Sequence, residues 1–227
     1  MYKGILLDLG DTVFYNENMS YAKGAEYLYE MIDGPKPNFE QFINIFLQIT
    51  NECYANRFII EVPFINILKY LETFLDISYK LSYDKIEIGF AMSFSKNTLV
   101  SHIISFLHVA KEKNIPIVAL SNSAFSSSTL INQLENLHIR QYFTAVLSSA
   151  DYGFRKPSSY FFNIGIKKLK LPKEEIAFIG NDYEIDIVGS LKVGLDVFWF
   201  NENNLPNPKQ VNSFNSFLTL NKIFFDV

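Results

Sequence analysis

Apolar positions along this chain follow two rhythms. Beyond about residue 98, short unbroken apolar runs at 115–120 (IPIVAL), 145–149 (AVLSS), 176–180 (IAFIG) and 197–200 (VFWF) alternate with stretches whose apolar residues recur every three or four positions. An unbroken run of that length reads as a strand covered on both faces, and the longer period as a helix with one buried stripe. Leu99, Ile103, Ile104, Phe106, Leu107 and Ala110 mark one helix, Leu130, Leu134 and Leu137 another, with further helices at 160–170 and 187–193. Parallel neighbours need crossover connections, usually helical, so this alternation predicts a parallel sheet with helices on both faces. The opening run GILLDLGDTV at 4–13 has the same apolar character and stops abruptly in Asp8, Gly10, Asp11 and Thr12.

Between 15 and 97 the pattern is helical throughout. Tyr21, Ala25, Leu28 and Ile32 keep helical spacing until Asp33-Gly34-Pro35 breaks it. Asn38 is placed to cap a second helix carrying Phe39, Phe42, Ile43, Phe46 and Leu47 and ending near Asn56. Pro63 suits the first turn of a third with Ile67, Leu68, Leu71 and Phe74, and Ser82 or Asp84 opens a fourth to about Met92. Helices with no strand among them predict a small bundle inserted into an α/β unit. The expected division is 1–14 with 98–227 for the core and 15–97 for the insertion. A tail rich in Asn, Pro and Ser at 201–215 is expected to wrap the surface before a last element at 218–225.

Composition narrows the function classes. With 227 residues, 48% of them apolar, the chain can bury a substantial core. A net charge of −4 with scattered Lys and Arg offers no basic patch, which argues against a nucleic-acid partner. No run approaches the ~18 apolar residues of a membrane span, and the lone Cys53 cannot form an internal disulfide, so a soluble cytoplasmic monomer or homodimer is expected. His102, His108 and His138 are not spaced as a metal set, and no glycine-rich nucleotide loop occurs.

In an open parallel sheet the ligand site lies beyond the carboxyl ends of the strands, so residues following each apolar run converge in space. Those positions hold Asp8, Gly10, Asp11 and Thr12 after the first run, Ser121 and Asn122 after the second, Lys156 beyond the third, and Asn181, Asp182 and Asp186 after the fourth. They offer a nucleophilic carboxylate, hydroxyl and amide groups to bind oxygens, one ammonium, and further carboxylates suited to a hard cation. Singly, each has a plainer reading: turn residues at 8–12, a helix cap at Ser121, a solvated charge at Lys156, an acidic helix edge at Asp182 and Asp186. Their joint occurrence at four separate sheet ends argues for chemistry.

The motifs DLGDT, VALSNS, GFRKP and IGNDYEIDIVGS, in that order, resemble the four motifs of the haloacid dehalogenase superfamily, chiefly phosphotransfer hydrolases with a Rossmann-like three-layer core and a mobile cap. The resemblance spans nearly the whole chain, and the insertion at 15–97 looks like that family's helical cap. It implies a sheet of five or more parallel strands, Asp8 as nucleophile, Thr12 beside it, and Ser121, Asn122 and Lys156 as phosphate-binding and catalytic groups. It further implies Mg²⁺ held by Asp8, the Gly10 carbonyl, Asp182 and Asp186, with Asn181 standing where many relatives carry the first acidic residue. The implied activity is hydrolysis of a small phosphorylated metabolite through an aspartyl-phosphate. One departure stands out: the family's acid/base aspartate, two residues past the nucleophile, is Gly10 here, and Asp11 is the candidate to replace it. Gly10 also suits a 2-haloacid dehalogenase, in which the aspartate attacks carbon without a metal, and a non-catalytic relative retaining the pocket.

Overall fold

The computed structural model describes residues 2–55 and 57–225. Strand β1, Gly4–Leu7, is buried at all four positions and lies near the middle of a sheet. Two-residue strand periodicity sends Ile5 and Leu7 to one face and Leu6 to the other, so both faces must be covered.

Chain order first departs from that sheet. Strand β2, Phe14–Glu17, leads into α1, Tyr21–Glu30, then a two-residue β3, Ile32–Asp33, α2, Phe39–Tyr54, and α3, Phe64–Leu75. After β4, Ser78–Tyr79, come α4, Tyr83–Phe94, and β5, Lys96–Leu99. Ser20 and Asn38 cap α1 and α2 by accepting from Lys23 N and Gln41 N. The four helices bury one aromatic-rich cluster of their own, including Leu28, Phe42, Phe46, Phe64, Leu68 and Phe90.

Chain order then returns to the sheet with α5, Ile103–Glu112, β6, Ile117–Ser121, α6, Ser127–Asn136, β7, Ala145–Ser148, α7, Ser149–Tyr152, and α8, Ser159–Leu169. It closes with β8, Ile176–Gly180, α9, Gly189–Lys192, β9, Asp196–Phe200, β10, Asn212–Phe214, and α10, Phe217–Phe225. Among the described residues the main sheet has six parallel strands in the order β10-β9-β8-β1-β6-β7. One face packs on α5, α6 and α10 through Phe106, Leu107, Leu130, Leu134, Phe217 and Leu220. The other packs on α8 through Phe161 and Phe162. This is the three-layer α/β architecture, one strand larger than the minimum expected.

Three sequence expectations need correction. The insertion is not free of strands: β2 pairs antiparallel with β5, from Phe14 against Leu99 to Glu17 against Lys96, and β3 pairs with β4. Leu99 thus belongs to a strand rather than to the helix that begins at Ile103. These strands are too short and too polar to show a period, and pairing satisfies the backbone of the two linkers where they run side by side. The short helix expected at 187–193 is present as α9, but a π-helical turn, Tyr183–Val188, which the expectation lacked, leads into it. Asn56, where α2 was expected to end, lies outside the described residues, and no described helix is long and apolar enough to cross a membrane.

Candidate active site

Strand register decides what meets. Leu7 lies beside Ala119 on β6 and Ile179 on β8, so Asp8, Ser121 and Asn181 leave neighbouring strands at one edge. Asp8 is 6% exposed, and a carboxylate that deep needs partners. Lys156 Nζ donates to Asp8 Oδ1 at 2.6 Å, and Thr12 Oγ1 stands 2.9 Å from Asp8 Oδ2 and 3.1 Å from Asn181 Oδ1.

Lys156 is itself 1% exposed, which removes the reading of a solvated charge. Its ammonium also lies 2.6 Å from Asp186 Oδ1. Burial opposes the charged amine, but Asp186 and Asp8 together hold its pKa above the ordinary lysine value. Asp186, 1% exposed, is pushed up to about 7 by burial, against the pull of Lys156 and reinforced by Asp8. Two buried carboxylates thus share one cation. The Asp186 Oδ1 contact with Lys156 lacks hydrogen-bond alignment, leaving that oxygen without a directional donor.

Asn122 locks the lysine loop. Its Oδ1 accepts from Lys156 N at 2.7 Å and its Nδ2 donates to Lys156 O at 2.9 Å. Ser121, the last residue of β6, is buried at the same edge rather than capping a helix, since α6 begins only at Ser127.

The fourth motif splits. Asp186 enters the buried centre, whereas Asp182 is exposed and its Oδ1 accepts from Ile185 N at 2.8 Å, capping the π-helical turn. The side chain brought to Thr12 is that of Asn181, whose backbone carbonyl accepts from Trp199 Nε1 at 2.9 Å. Trp199 lies in the core, as its strand position implied, and its bond to Asn181 was not legible in the sequence.

Gly10 leaves open space, because a Cβ built there meets nothing within 4 Å. Asp11 sits at φ 55°, the left-handed region that glycine enters at least cost. It lines a pocket of about 260 Å³ with Tyr15, Asn181, Trp199 and Glu202. Burial, then Asp8 and Glu202, raise its pKa above the ordinary aspartate value.

A parallel sheet that gathers a buried carboxylate, a buried ammonium and oxygen-bearing side chains on its carboxyl edge places them where open α/β folds bind their ligands. The profile of the haloacid dehalogenase-like hydrolases matches residues 5–200, and the chain belongs to that family. It is 26% identical over 202 residues to a glyceraldehyde 3-phosphate phosphatase of Methanocaldococcus jannaschii, covering 86% of this chain and 83% of that protein. In fold it resembles a 2-haloacid dehalogenase of Pseudomonas syringae, with a TM-score of 0.66 and 16% identity over 100% of this chain and 99% of the other. It also resembles the magnesium-bound putative hydrolase YfnB of Bacillus subtilis, with a TM-score of 0.59 and 20% identity over 98% of both chains.

Proposed function

We propose that this hydrolase is a Mg²⁺-dependent phosphatase of small phosphorylated metabolites, acting through an aspartyl-phosphate on Asp8. The observation that carries the reading is the buried group in which Asp8 and Asp186 share Lys156 while Thr12 holds the second oxygen of Asp8. Asp8 attacks phosphorus in line, the bond from phosphorus to the leaving oxygen breaks, and water then cleaves the aspartyl-phosphate to restore the carboxylate. Ser121, Asn122 and Lys156 hold the phosphoryl oxygens, Lys156 as a protonated donor. Asp11 is the acid/base candidate in place of the aspartate absent at Gly10. Residues 15–97 act as a cap over a core of 1–14 and 98–227.

The donor set fits Mg²⁺. The site carries one negative charge in excess, and Asp186 Oδ1 is buried without an aligned donor. Among the described residues no three His, Cys, Asp or Glu side chains gather around one point, so the cation would be held by Asp8, Asp186, the Gly10 carbonyl and the Asn181 amide oxygen. Asp182, engaged as a helix cap, would support that shell from outside. Mg²⁺ keeps several waters and would offset repulsion between Asp8 and an incoming phosphate.

Phosphate release from an aryl phosphate should require Mg²⁺ and fall by roughly 10⁴-fold or more in Asp8→Asn. Equal activity in that variant ends the reading. Because position 10 has room for a side chain, Gly10→Asp should raise turnover by roughly 10²-fold. The dehalogenase reading draws on Gly10 and on the fold neighbour; chloride release from a 2-haloacid without Mg²⁺ would install it instead.

A further inference from the structure

We propose that Glu61 is a positioning residue that couples closure of the helical insertion to assembly of the phosphate-binding loops, an inference that rests on the phosphatase reading and concerns the same site. Glu61 lies between α2 and α3, and its side chain is 0% exposed. Its Oε1 accepts from Arg57 Nη1 at 2.7 Å and from Val62 N at 3.2 Å. Its Oε2 accepts from Ser149 Oγ at 2.7 Å and faces Arg155 Nη1 at 3.5 Å. One carboxylate of the insertion therefore holds two separate segments of the core.

Both segments lead to the site. Ser149 Oγ accepts from Ser123 N at 2.9 Å, in the loop that carries Ser121 and Asn122, and Arg155 directly precedes Lys156. The backbone around Glu61 is paired in the same places. Glu61 N donates to Gly153 O and Arg155 N to Ile59 O, each at 2.9 Å, and Phe64 N donates to Ala124 O at 2.8 Å. Ile60 and Phe154 form a short antiparallel bridge at the centre of this contact. Asn122 then ties the two loops together by its paired bonds to the Lys156 backbone. When the insertion swings away, both loops lose their outside support at once. When it closes, Glu61 pulls each into register with the other, and the site becomes competent only beneath a closed cap.

Glu87 on α4 supplies an internal contrast. It is also a buried carboxylate reaching the core, but it accepts from Ser126 N at 2.9 Å and Thr129 Oγ1 at 2.6 Å, at the start of α6, and touches neither Ser149 nor Arg155. A general fastening role would be shared by both glutamates, whereas a positioning role belongs to Glu61.

The test is calorimetric binding of inorganic phosphate in the presence of Mg²⁺, read beside kcat and KM on an aryl phosphate and the far-UV circular dichroism of each full-length variant. Glu61→Ala should keep the native spectrum, weaken phosphate roughly 10- to 100-fold and lower kcat with it. Glu61→Asp should restore part of both. Ser149→Ala, which removes the hydroxyl joining Glu61 to Ser123 and leaves Arg57 and Arg155 on Glu61, should weaken phosphate about threefold. Glu87→Gln should leave phosphate affinity within about twofold of wild type. Native-like phosphate affinity in Glu61→Ala, or an equal loss in Glu87→Gln, overturns the proposal. If Glu61→Ala does not fold, unchanged affinity in Ser149→Ala overturns it in the same way. A wild type that hydrolyses no phosphate ester removes the phosphatase reading beneath it, a different result from an active wild type whose Glu61 variants bind phosphate normally.

Discussion

Two buried charge clusters in this molecule are near mirror images. At the sheet edge, two carboxylates, Asp8 and Asp186, share the single ammonium of Lys156. At the junction with the helical insertion, a single carboxylate, Glu61, is shared by two guanidiniums, Arg57 and Arg155. The first carries an excess negative charge with almost no exposed surface, and one of its oxygens lacks an aligned donor. The second carries an excess positive charge, but both Glu61 oxygens are engaged and the Arg57 side chain keeps 26% of its surface in contact with solvent. A buried charge group is structurally self-sufficient only when its surplus can reach water or a partner. The junction meets that condition; the sheet edge keeps its surplus buried, where a proton on Asp186 or, under the proposed function, a bound cation would offset it.

Removing the shared cation tests the contrast most severely. Lys156→Met leaves Asp8 and Asp186 buried and unpaired, so urea denaturation should show a loss of roughly 3–5 kcal/mol, partly recovered by millimolar Mg²⁺. The matching change at the junction is Arg155→Met, which leaves Glu61 bonded to Arg57, Ser149 and the Val62 amide. Its cost should be about 1 kcal/mol. Equal losses in the two variants would erase the distinction drawn between the clusters.

The smallest expected effect concerns Glu87, a buried carboxylate whose partners here are hydroxyls and one amide rather than a cation. Burial raises its pKa above the ordinary value of 4.5, against the pull of its bonds to Ser126 and Thr129. The folded state therefore holds this proton more tightly than the unfolded state, and stability is lost as pH rises through the window above 4.5. Glu87→Gln should remove that slope, gaining about 1 kcal/mol or less near neutral pH and nothing at pH values below the ordinary range. Parallel stability–pH curves for the two proteins would show that Glu87 does not titrate in that window.

Much of this arrangement was legible in the chain itself. The apolar runs predicted five strands of the main sheet, and the rule that sites lie beyond their carboxyl ends pointed to Asp8, Gly10, Asp11, Thr12, Ser121, Asn122, Lys156, Asn181, Asp182 and Asp186, of which Asp8, Thr12, Lys156, Asn181 and Asp186 meet side chain to side chain. The division of labour between Asn181 and Asp182 was not legible, because two adjacent polar residues differ only in which way the π-helical turn points them. Glu61 was missed altogether. Nothing in EVPF marks a glutamate that will be wholly buried, and its partners lie up to 94 positions away.

Periodicity and residue chemistry, which act over a few neighbouring positions, determined five strands of the main sheet, the four helices of the insertion, and the class of groups at four strand ends. Tertiary structure decided the rest. Strand register set which groups share a proton or a charge, and the docking of the insertion on the core converted ordinary surface residue types into a buried junction. The physical reason is range: local propensity is encoded where it acts, whereas the energy of a buried charge depends on every group the fold brings within a few ångströms of it.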